Sequence, residues 1–338
     1  MSVFKKYSYK HFTRFILSYS NASPHSNWLR LTELFYSPHW SNQFTTRQGL
    51  APTLRTAGVL RLLRPHLLFS SIPSSIFFLH RMKISIITAT WNSAATVCDT
   101  FESILRQTYT DYEYLVIDGG STDKTVDLIR QYEPRFGGRM RWISEKDKGI
   151  YDAMNKGISM ATGDVIGLLN SDDFYTTDDV LQTIAHTFLN HPVDAVYADV
   201  HYVPCEDTSR CVRYYSSRPF HRWMMRMGFM PAHPSFYCRK QVYTDFGTFD
   251  LSYKVAADFE NLLRLLFVHR ISTQYIPKDF VTMRRGGASS SGWISHKQIY
   301  RDHRRALRTN GVYSNHLLLS LRYLYKIAEV TKSKLFNH

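Results

Sequence analysis

Leu168-Leu169-Asn170-Ser171-Asp172-Asp173 is an apolar run that stops at two adjacent carboxylates. Ala161-Thr162-Gly163-Asp164 before it reads as a turn, and Val165 to Leu169 as a short buried strand. The acids therefore stand at a strand's carboxyl end, where open α/β sheets bind ligands. Neighbouring negative charges repel unless something cationic holds them, and a hard divalent ion with oxygen ligands is one solution. An acidic helix cap before Phe174 is the other reading. Two more strand ends carry acids: Asp118 closes Tyr112 to Ile117, and Asp147 follows Met140 to Ile143. A structural turn explains any one of them, whereas three along one sheet edge point to a site.

The elements that must position these groups begin at Met82. Ile84 to Ala89 is a buried strand ending in Thr90-Trp91-Asn92-Ser93, and a helix pattern follows to about Gln107. A second helix starts after Asp118-Gly119-Gly120-Ser121-Thr122-Asp123, capped by Ser121 or Thr122. A third carries Ile150, Met154 and Ile158 at four-residue spacing. Strands alternating with helices predict a parallel sheet with right-handed crossovers. The second half is less regular. Val193–Val200 and Val212–Tyr215 read as strands around a polar turn, and Pro231 to Phe236 precedes a short strand. Ala257 to His269 reads as a helix with Phe259, Leu262, Leu263, Leu266 and Phe267 on one stripe. Asp258 lies off that stripe in the first turn, where the helix dipole favours a carboxylate.

Composition bounds the function. The chain has 338 residues and a formal charge of +14, and ten of its basic residues precede Met82 against one acid, Glu33. What remains is a mild basic excess that fits phosphates or an anionic membrane surface and does not require nucleic acid. No nucleic-acid motif is visible. Cys98, Cys205, Cys211 and Cys238 form no C-x-x-C pair and read as free thiols of a reducing compartment. Residues 1–81 are rich in Ser, Arg, Phe and Tyr without a sustained period, and read as a poorly ordered or non-native basic extension. Residues 82–291 form the catalytic domain and 292–338 a basic helical tail.

S-I-I-T-A-T-W-N-S, V-I-D-G-G-S-T-D-K-T, S-E-K-D-K-G-I-Y-D-A-M-N-K-G and A-T-G-D-V-I-G-L-L-N-S-D-D follow one another in order. This series strongly resembles the glycosyltransferase family 2 enzymes of GT-A fold, most of all bacterial transferases that build O-antigen or other surface polysaccharide. The resemblance spans about Met82 to Ser291. It implies a Rossmann-like, mostly parallel α/β sheet flanked by helices, and an inverting sugar transfer from a nucleotide-diphosphate donor, usually a UDP-sugar. The acceptor it implies is a glycan or lipid-linked sugar, and the cofactor Mn²⁺ or Mg²⁺. Carried over residue by residue, Thr88, Thr90, Asp118, Asp147 and Asp172 bind the nucleotide-sugar, with Asp118 on the base. Asp173 is the metal ligand and Asp258 the base. Asp172-Asp173 corresponds to the D-x-D region, but the sequence has Asn170-Ser171-Asp172-Asp173 rather than a strict D-x-D, and Ala257-Asp258 rather than the frequent Glu-Asp.

The chemistry fits these residue types. A divalent cation on Asp173, helped by Asp172, would neutralise the leaving diphosphate, and Asp258 would take the acceptor hydroxyl's proton. One base without a second carboxylate nucleophile predicts inversion by a single displacement. His233, between prolines, is an acceptor-facing group or a packing residue. Arg284-Arg285-Gly286-Gly287 is a diphosphate loop, with Arg285 and Gly287 as contacts, or a flexible exit. From Trp293 to Lys334, basic clusters join Leu317, Leu318, Leu319, Leu321, Leu324 and Ile327 in a pattern that reads either as an interfacial helix or as a tail packed on its own domain. A cytoplasmic protein, free or peripheral on the inner face of the cytoplasmic membrane, is the corresponding expectation. The competing functions are a nucleotidyltransferase, whose Gly- and Lys/Arg-rich phosphate loop is missing, and a non-enzymatic membrane or anion binder. A nicotinamide enzyme is disfavoured because Thr90-Trp91-Asn92-Ser93 stands where G-x-G-x-x-G is needed.

Overall fold

The computed structural model describes residues 82–286 and 292–322. The expected extension at 1–81, Gly287 and the tail beyond Arg322 lie outside them. Strands β1 (Ile84–Thr90), β2 (Tyr112–Asp118), β3 (Met140–Ser144) and β4 (Val165–Leu168) run parallel in the order β3-β2-β1-β4. Helices α1 (Val97–Leu105), α2 (Thr125–Tyr132) and α3 (Ile150–Met160) connect them. Every residue of β1 and β2 is buried, as expected of strands covered on both faces. Ile84 and Ile86 enter the core shared with Phe101 and Ile104 of α1, while Ile87 enters the one shared with Met154 and Ile158 of α3. The two-residue period of the strand thus feeds two cores from one sheet.

Beyond β4 the sheet changes direction. β8 (Tyr237–Arg239) lies antiparallel to β4, and β6 (Ala195–Val203) antiparallel to β8. β9 (Thr273–Arg284) runs parallel to β6, with β5 (Phe174–Tyr175) antiparallel along it. β7 (Arg213–Tyr215) pairs with β6 as an antiparallel ribbon, the strand pair expected around a polar turn. The close contact at the β4–β8 seam needs a glycine. A Cβ on Gly167 would stand 1.9 Å from Tyr237 Cε1, so the Tyr237 ring lies directly on the strand and its hydroxyl meets that of Tyr175.

Helix α4 (Val180–Asn190) and α5 (Lys240–Phe246) flank this second half. The helix expected over Ala257–His269 is α6 (Ala257–Leu262), which continues as a π-helix over Leu263–Val268. The tail is two helices, α7 (Gly292–Thr309) and α8 (316–322), separated by a turn in which Gly311 has φ +67°. Two local expectations change. Helix α2 begins at Thr125, and its first amide is taken by Asp123 Oδ1 at 2.9 Å, because Ser121 is engaged with Asp118. Strand β9 went unseen, since Pro277, Lys278 and Asp279 interrupt its apolar pattern.

At the N-terminal edge of the parallel strands, Glu113 is a buried tie. Its Oε1 accepts from Ser85 Oγ at 2.6 Å and Thr162 N at 2.5 Å, and its Oε2 from Thr162 Oγ1 at 2.9 Å and Arg141 Nη2 at 2.7 Å. Burial alone would raise this carboxyl, but those donors outweigh it and hold it at about 2, against an ordinary 4.5. A depressed folded-state value contributes stability above the unfolded value, and that contribution is lost as pH falls toward the folded one. The stability advantage of the natural chain over Glu113→Gln should therefore decline between about pH 4.5 and pH 2, by on the order of 2–3 kcal/mol. Urea titrations of both proteins across that window measure it, and parallel profiles would contradict the assignment.

Candidate active site

The parallel register sets the site's first corner. Thr90 lies beside Asp118, and Asp118 beside Ser144, so three strand ends finish at one level. The Asp118 carboxylate is fully buried. Its Oδ1 accepts from Thr90 Oγ1 at 3.0 Å and Ser121 Oγ at 2.5 Å. Its Oδ2 accepts from Gly120 N at 3.1 Å, Ser121 N at 2.9 Å and Ser144 Oγ at 2.7 Å. Burial opposes the charge, but the serine, backbone and threonine donors lower the carboxyl below its ordinary value. Five donors fill a carboxylate's capacity of about four lone-pair sites. Asp118 thus organises the loop from behind instead of facing solvent.

Neighbouring groups share this arrangement. Thr88, also buried, donates to Leu169 O at 2.7 Å and ties β1 to the end of β4. Asp147 lies across Gly119, where a Cβ would stand 2.5 Å from its Oδ2, and its Oδ1 accepts from Gly149 N at 2.8 Å. The β1–α1 loop is laced to the others: Asn92 N to Ser121 Oγ at 2.8 Å, Thr122 N to Asn92 Oδ1 at 2.9 Å, and Ser93 Oγ to Ser171 Oγ at 2.8 Å. From this fixed loop Trp91 projects with 69 % of its surface exposed. Sequence reasoning passed over it. The available signal was a large aromatic in the polar run after a buried strand.

The two acids after β4 separate into different roles. Asp173 is buried, with Oδ2 accepting from Asn170 Nδ2 at 2.9 Å and Oδ1 from Arg284 N at 3.3 Å. Asp172 is partly accessible. Arg284, at the end of β9, donates from Nη1 to Asp172 O at 2.7 Å and pairs through Nη2 with Asp99. Burial pushes both carboxyls up, Asp173 further because the Asp172 charge adds to it, while Arg284 opposes the shift in both. The cation expected beside the acid pair therefore includes an arginine that the sequence had assigned to a loop. Arg285, the residue singled out instead, is exposed and bonds through its backbone to Val203 O and Cys205 Sγ.

Asp258 and His233 meet in a pocket of about 280 Å³. Phe259 N donates to Asp258 Oδ1 at 2.8 Å, and Tyr151 OH lies 3.4 Å from the same oxygen while donating to Val255 O at 2.5 Å. Burial raises the Asp258 carboxyl above its ordinary value, partly offset by His233. Burial lowers His233, partly offset by Asp258. His233 packs edge-on against Phe249 at 5.8 Å. The arrangement can take a proton beside a cavity that admits a small molecule, next to a sheet edge presenting an exposed aromatic and an accessible carboxylate.

Comparison with known proteins bears on the family and the fold. The glycosyl transferase family 2 profile matches residues 85–242. A PGL/p-HBAD biosynthesis glycosyltransferase of Mycobacterium bovis is 32 % identical over 193 residues, covering 57 % of this chain and 73 % of that protein. A second glycosyltransferase, from Mycobacterium tuberculosis, is 33 % identical over 188 residues, 55 % of this chain and 69 % of its own length. Among solved structures, Staphylococcus aureus TarS in complex with UDP-GlcNAc superposes with a TM-score of 0.54 at 18 % identity, over 70 % of each chain. A Pyrobaculum calidifontis mannosyltransferase in complex with GDP-Man and Mn²⁺ gives 0.53 at 18 % identity, over 68 % of this chain and 65 % of its own. These two likenesses establish the GT-A fold.

Proposed function

The chain belongs to glycosyl transferase family 2, and we propose that it is an inverting enzyme moving a sugar from a nucleotide-diphosphate donor to a glycan or lipid-linked acceptor in surface-polysaccharide synthesis. The observation that carries the mechanism is Asp258, a carboxylate raised by burial in the wall of an acceptor-sized pocket. Support for the donor comes from the sheet edge, where Trp91 offers an aromatic face to a nucleobase and Asp147 an accessible carboxylate. Thr88, Thr90 and Asp118 hold this edge in shape rather than touching the nucleotide. TarS and the mannosyltransferase were solved with UDP-GlcNAc and GDP-Man, which favours a nucleotide-sugar here.

Asp172 fits a Mg²⁺ or Mn²⁺ ion better than Asp173 does. It is a hard oxygen donor within reach of solvent, whereas both Asp173 oxygens are occupied inside the fold. Such ions keep several waters and need only one or two carboxylates beside substrate phosphates. When bound, the ion supplies positive charge to the leaving diphosphate. Asp258 takes the proton of the acceptor hydroxyl as its oxygen attacks the anomeric carbon on the face opposite the nucleotide. One displacement then inverts the configuration. His233 neighbours the base and, in its neutral form, can position the acceptor without competing for that proton.

A peripheral membrane contact is part of the same proposal. Helix α8 exposes Leu317 (72 %) and Leu321, and Trp223 is exposed on the segment whose Arg226 packs over Tyr313. Arg301, Arg304 and Arg308 of α7 are exposed as well, giving the mixture of apolar and basic groups suited to an anionic interface.

Three measurements test these readings. Asp258→Asn should keep binding of UDP- or GDP-sugars and of Mn²⁺ yet lose transfer by about a hundredfold or more. The natural enzyme's kcat/KM should fall, as pH drops, at a value above the ordinary aspartate range, since only the ionised raised carboxyl acts as base. A retained anomeric configuration or near-normal turnover of the variant would overturn the mechanism. For the metal, chelation should abolish transfer and Asp172→Ala should lower Mn²⁺ affinity, while Asp173→Asn should chiefly lower stability; the opposite pattern would restore Asp173 as ligand. For the membrane, anionic liposomes should float the full chain, and Leu317→Ser with Trp223→Ser should release it; equal flotation would remove this contact.

A further inference from the structure

The loop that carries the acid pair is held at each of its carbonyls. Asn170 O accepts from Asp173 N at 3.1 Å, Ser171 O from Thr96 Oγ1 at 2.9 Å, and Asp173 O from Thr100 Oγ1 at 2.7 Å. These ties are local or come from α1 and the residue before it. Asp172 O is held differently, by Arg284 Nη1 at 2.7 Å, across 112 residues of sequence. The sheet explains how the arginine arrives. β5 and β9 pair antiparallel with Phe174 opposite Thr282 and Tyr175 opposite Val281, and the same register carried two residues further sets Arg284 beside Asp172. Arg284 is buried, and the rest of its side chain is engaged too. Nη2 pairs with Asp99 of α1, and the guanidinium lies over the Phe174 ring, 5.1 Å from its centroid. Its backbone N reaches Asp173 Oδ1 at 3.3 Å.

We propose that Arg284 is a positioning residue for the metal ion: set in place by Asp99 and Phe174, it fixes the Asp172 peptide so that the Asp172 carboxylate is already oriented when ion and nucleotide arrive. The proposal rests on the reading of Asp172 as the metal ligand and adds the group that orients it. A fixed cation beside a metal ligand repels a divalent ion, so its place here needs a geometric reason. The planar fork supplies one. A guanidinium can hold the Asp172 carbonyl with one nitrogen and the Asp99 carboxylate with the other, and so ties the loop to α1 through a rigid group. A lysine ammonium keeps the charge but is a point donor on a flexible stem. Geometry and charge therefore predict opposite signs when the side chain is made neutral. Loss of an orienting group weakens metal binding, whereas loss of a nearby cation alone strengthens it.

Mn²⁺ binding to the full chain tests this, read from loss of the free ion's hyperfine-split EPR signal, with UDP present and, in a parallel series, with GDP. Arg284→Met should weaken Mn²⁺ binding by about ten- to hundredfold, the scale for groups that orient a ligand from behind. Arg284→Lys should weaken it by a smaller factor. Thermal melts of the same proteins report that each is folded. Should Arg284→Met fail to melt cooperatively, Arg284→Lys decides alone, weaker binding supporting the proposal and natural binding overturning it. A folded Arg284→Met that melts earlier but binds Mn²⁺ as the natural chain does overturns the proposal and makes Arg284 a structural residue only. Tighter binding by that variant overturns it as well, since the arginine would then act through its charge. Asp172→Ala in the same titration separates this from the reading beneath it. If that variant keeps natural Mn²⁺ affinity, Asp172 is not the ligand, and the positioning role falls with it.

Discussion

A buried charge without partners would be too costly to keep, and the Asp118 carboxylate shows how the fold turns that constraint into order. Strands β1, β2 and β3 end side by side because parallel register aligns them, yet parallel strands impose nothing on the loops that follow. Asp118 does. By taking hydrogen from Thr90, Gly120, Ser121 and Ser144, it binds the ends of all three strands to one point. A neutral side chain would accept fewer of these donors, and the remainder would be left buried and unmet. The exposed Trp91 and the partly accessible Asp147 stand on the loops that this residue ties together.

The same logic recurs where the two halves of the molecule join. Asp173 is buried two strands over, after β4, and takes its partners from Asn170 three residues before it and from Arg284, which is 111 residues away in sequence. Arg284 also reaches the backbone of Asp172 and the side chain of Asp99. The Arg284 cation opposes, without cancelling, the rise that burial imposes on both acids, and Asp172 is the member of the pair that stays partly accessible. β9 delivers that arginine, so a strand of the second half completes a corner begun by the first.

What the sequence disclosed follows the regularity of the chain. Strands β1 to β4 and their helices were legible because buried parallel strands are apolar throughout and crossover helices are amphipathic. The acids at the strand ends were legible by type and place. Their division of labour was not, because burial depends on long-range partners: nothing local marks Asp173 as enclosed and Asp172 as accessible. Thr88 and Thr90 sit where the motifs put them but face inward. His233 and Asp258 were named separately, 25 positions apart, and only tertiary packing brings them to one pocket.

The irregularity of the second half has its own physical sense. Helix α6 must present Asp258 to a cavity while burying Phe259 and Leu262 on the sheet, and it then widens into a π-helix at Leu263–Val268. The side chain of Arg264, in that wider turn, holds Glu260 while donating to the carbonyls of Phe246, Gly247 and Thr248. Glu260 also accepts from Asn310 at the end of α7. The helix that carries Asp258 is therefore clamped at one end by the loop after α5 and along its side by α7, where His303 lies flat on Phe259. Helices α7 and α8 do not simply trail behind the sheet. Through His303 and Arg322 they supply part of the pocket wall, so any force that moves α7 or α8 acts directly on the surroundings of Asp258.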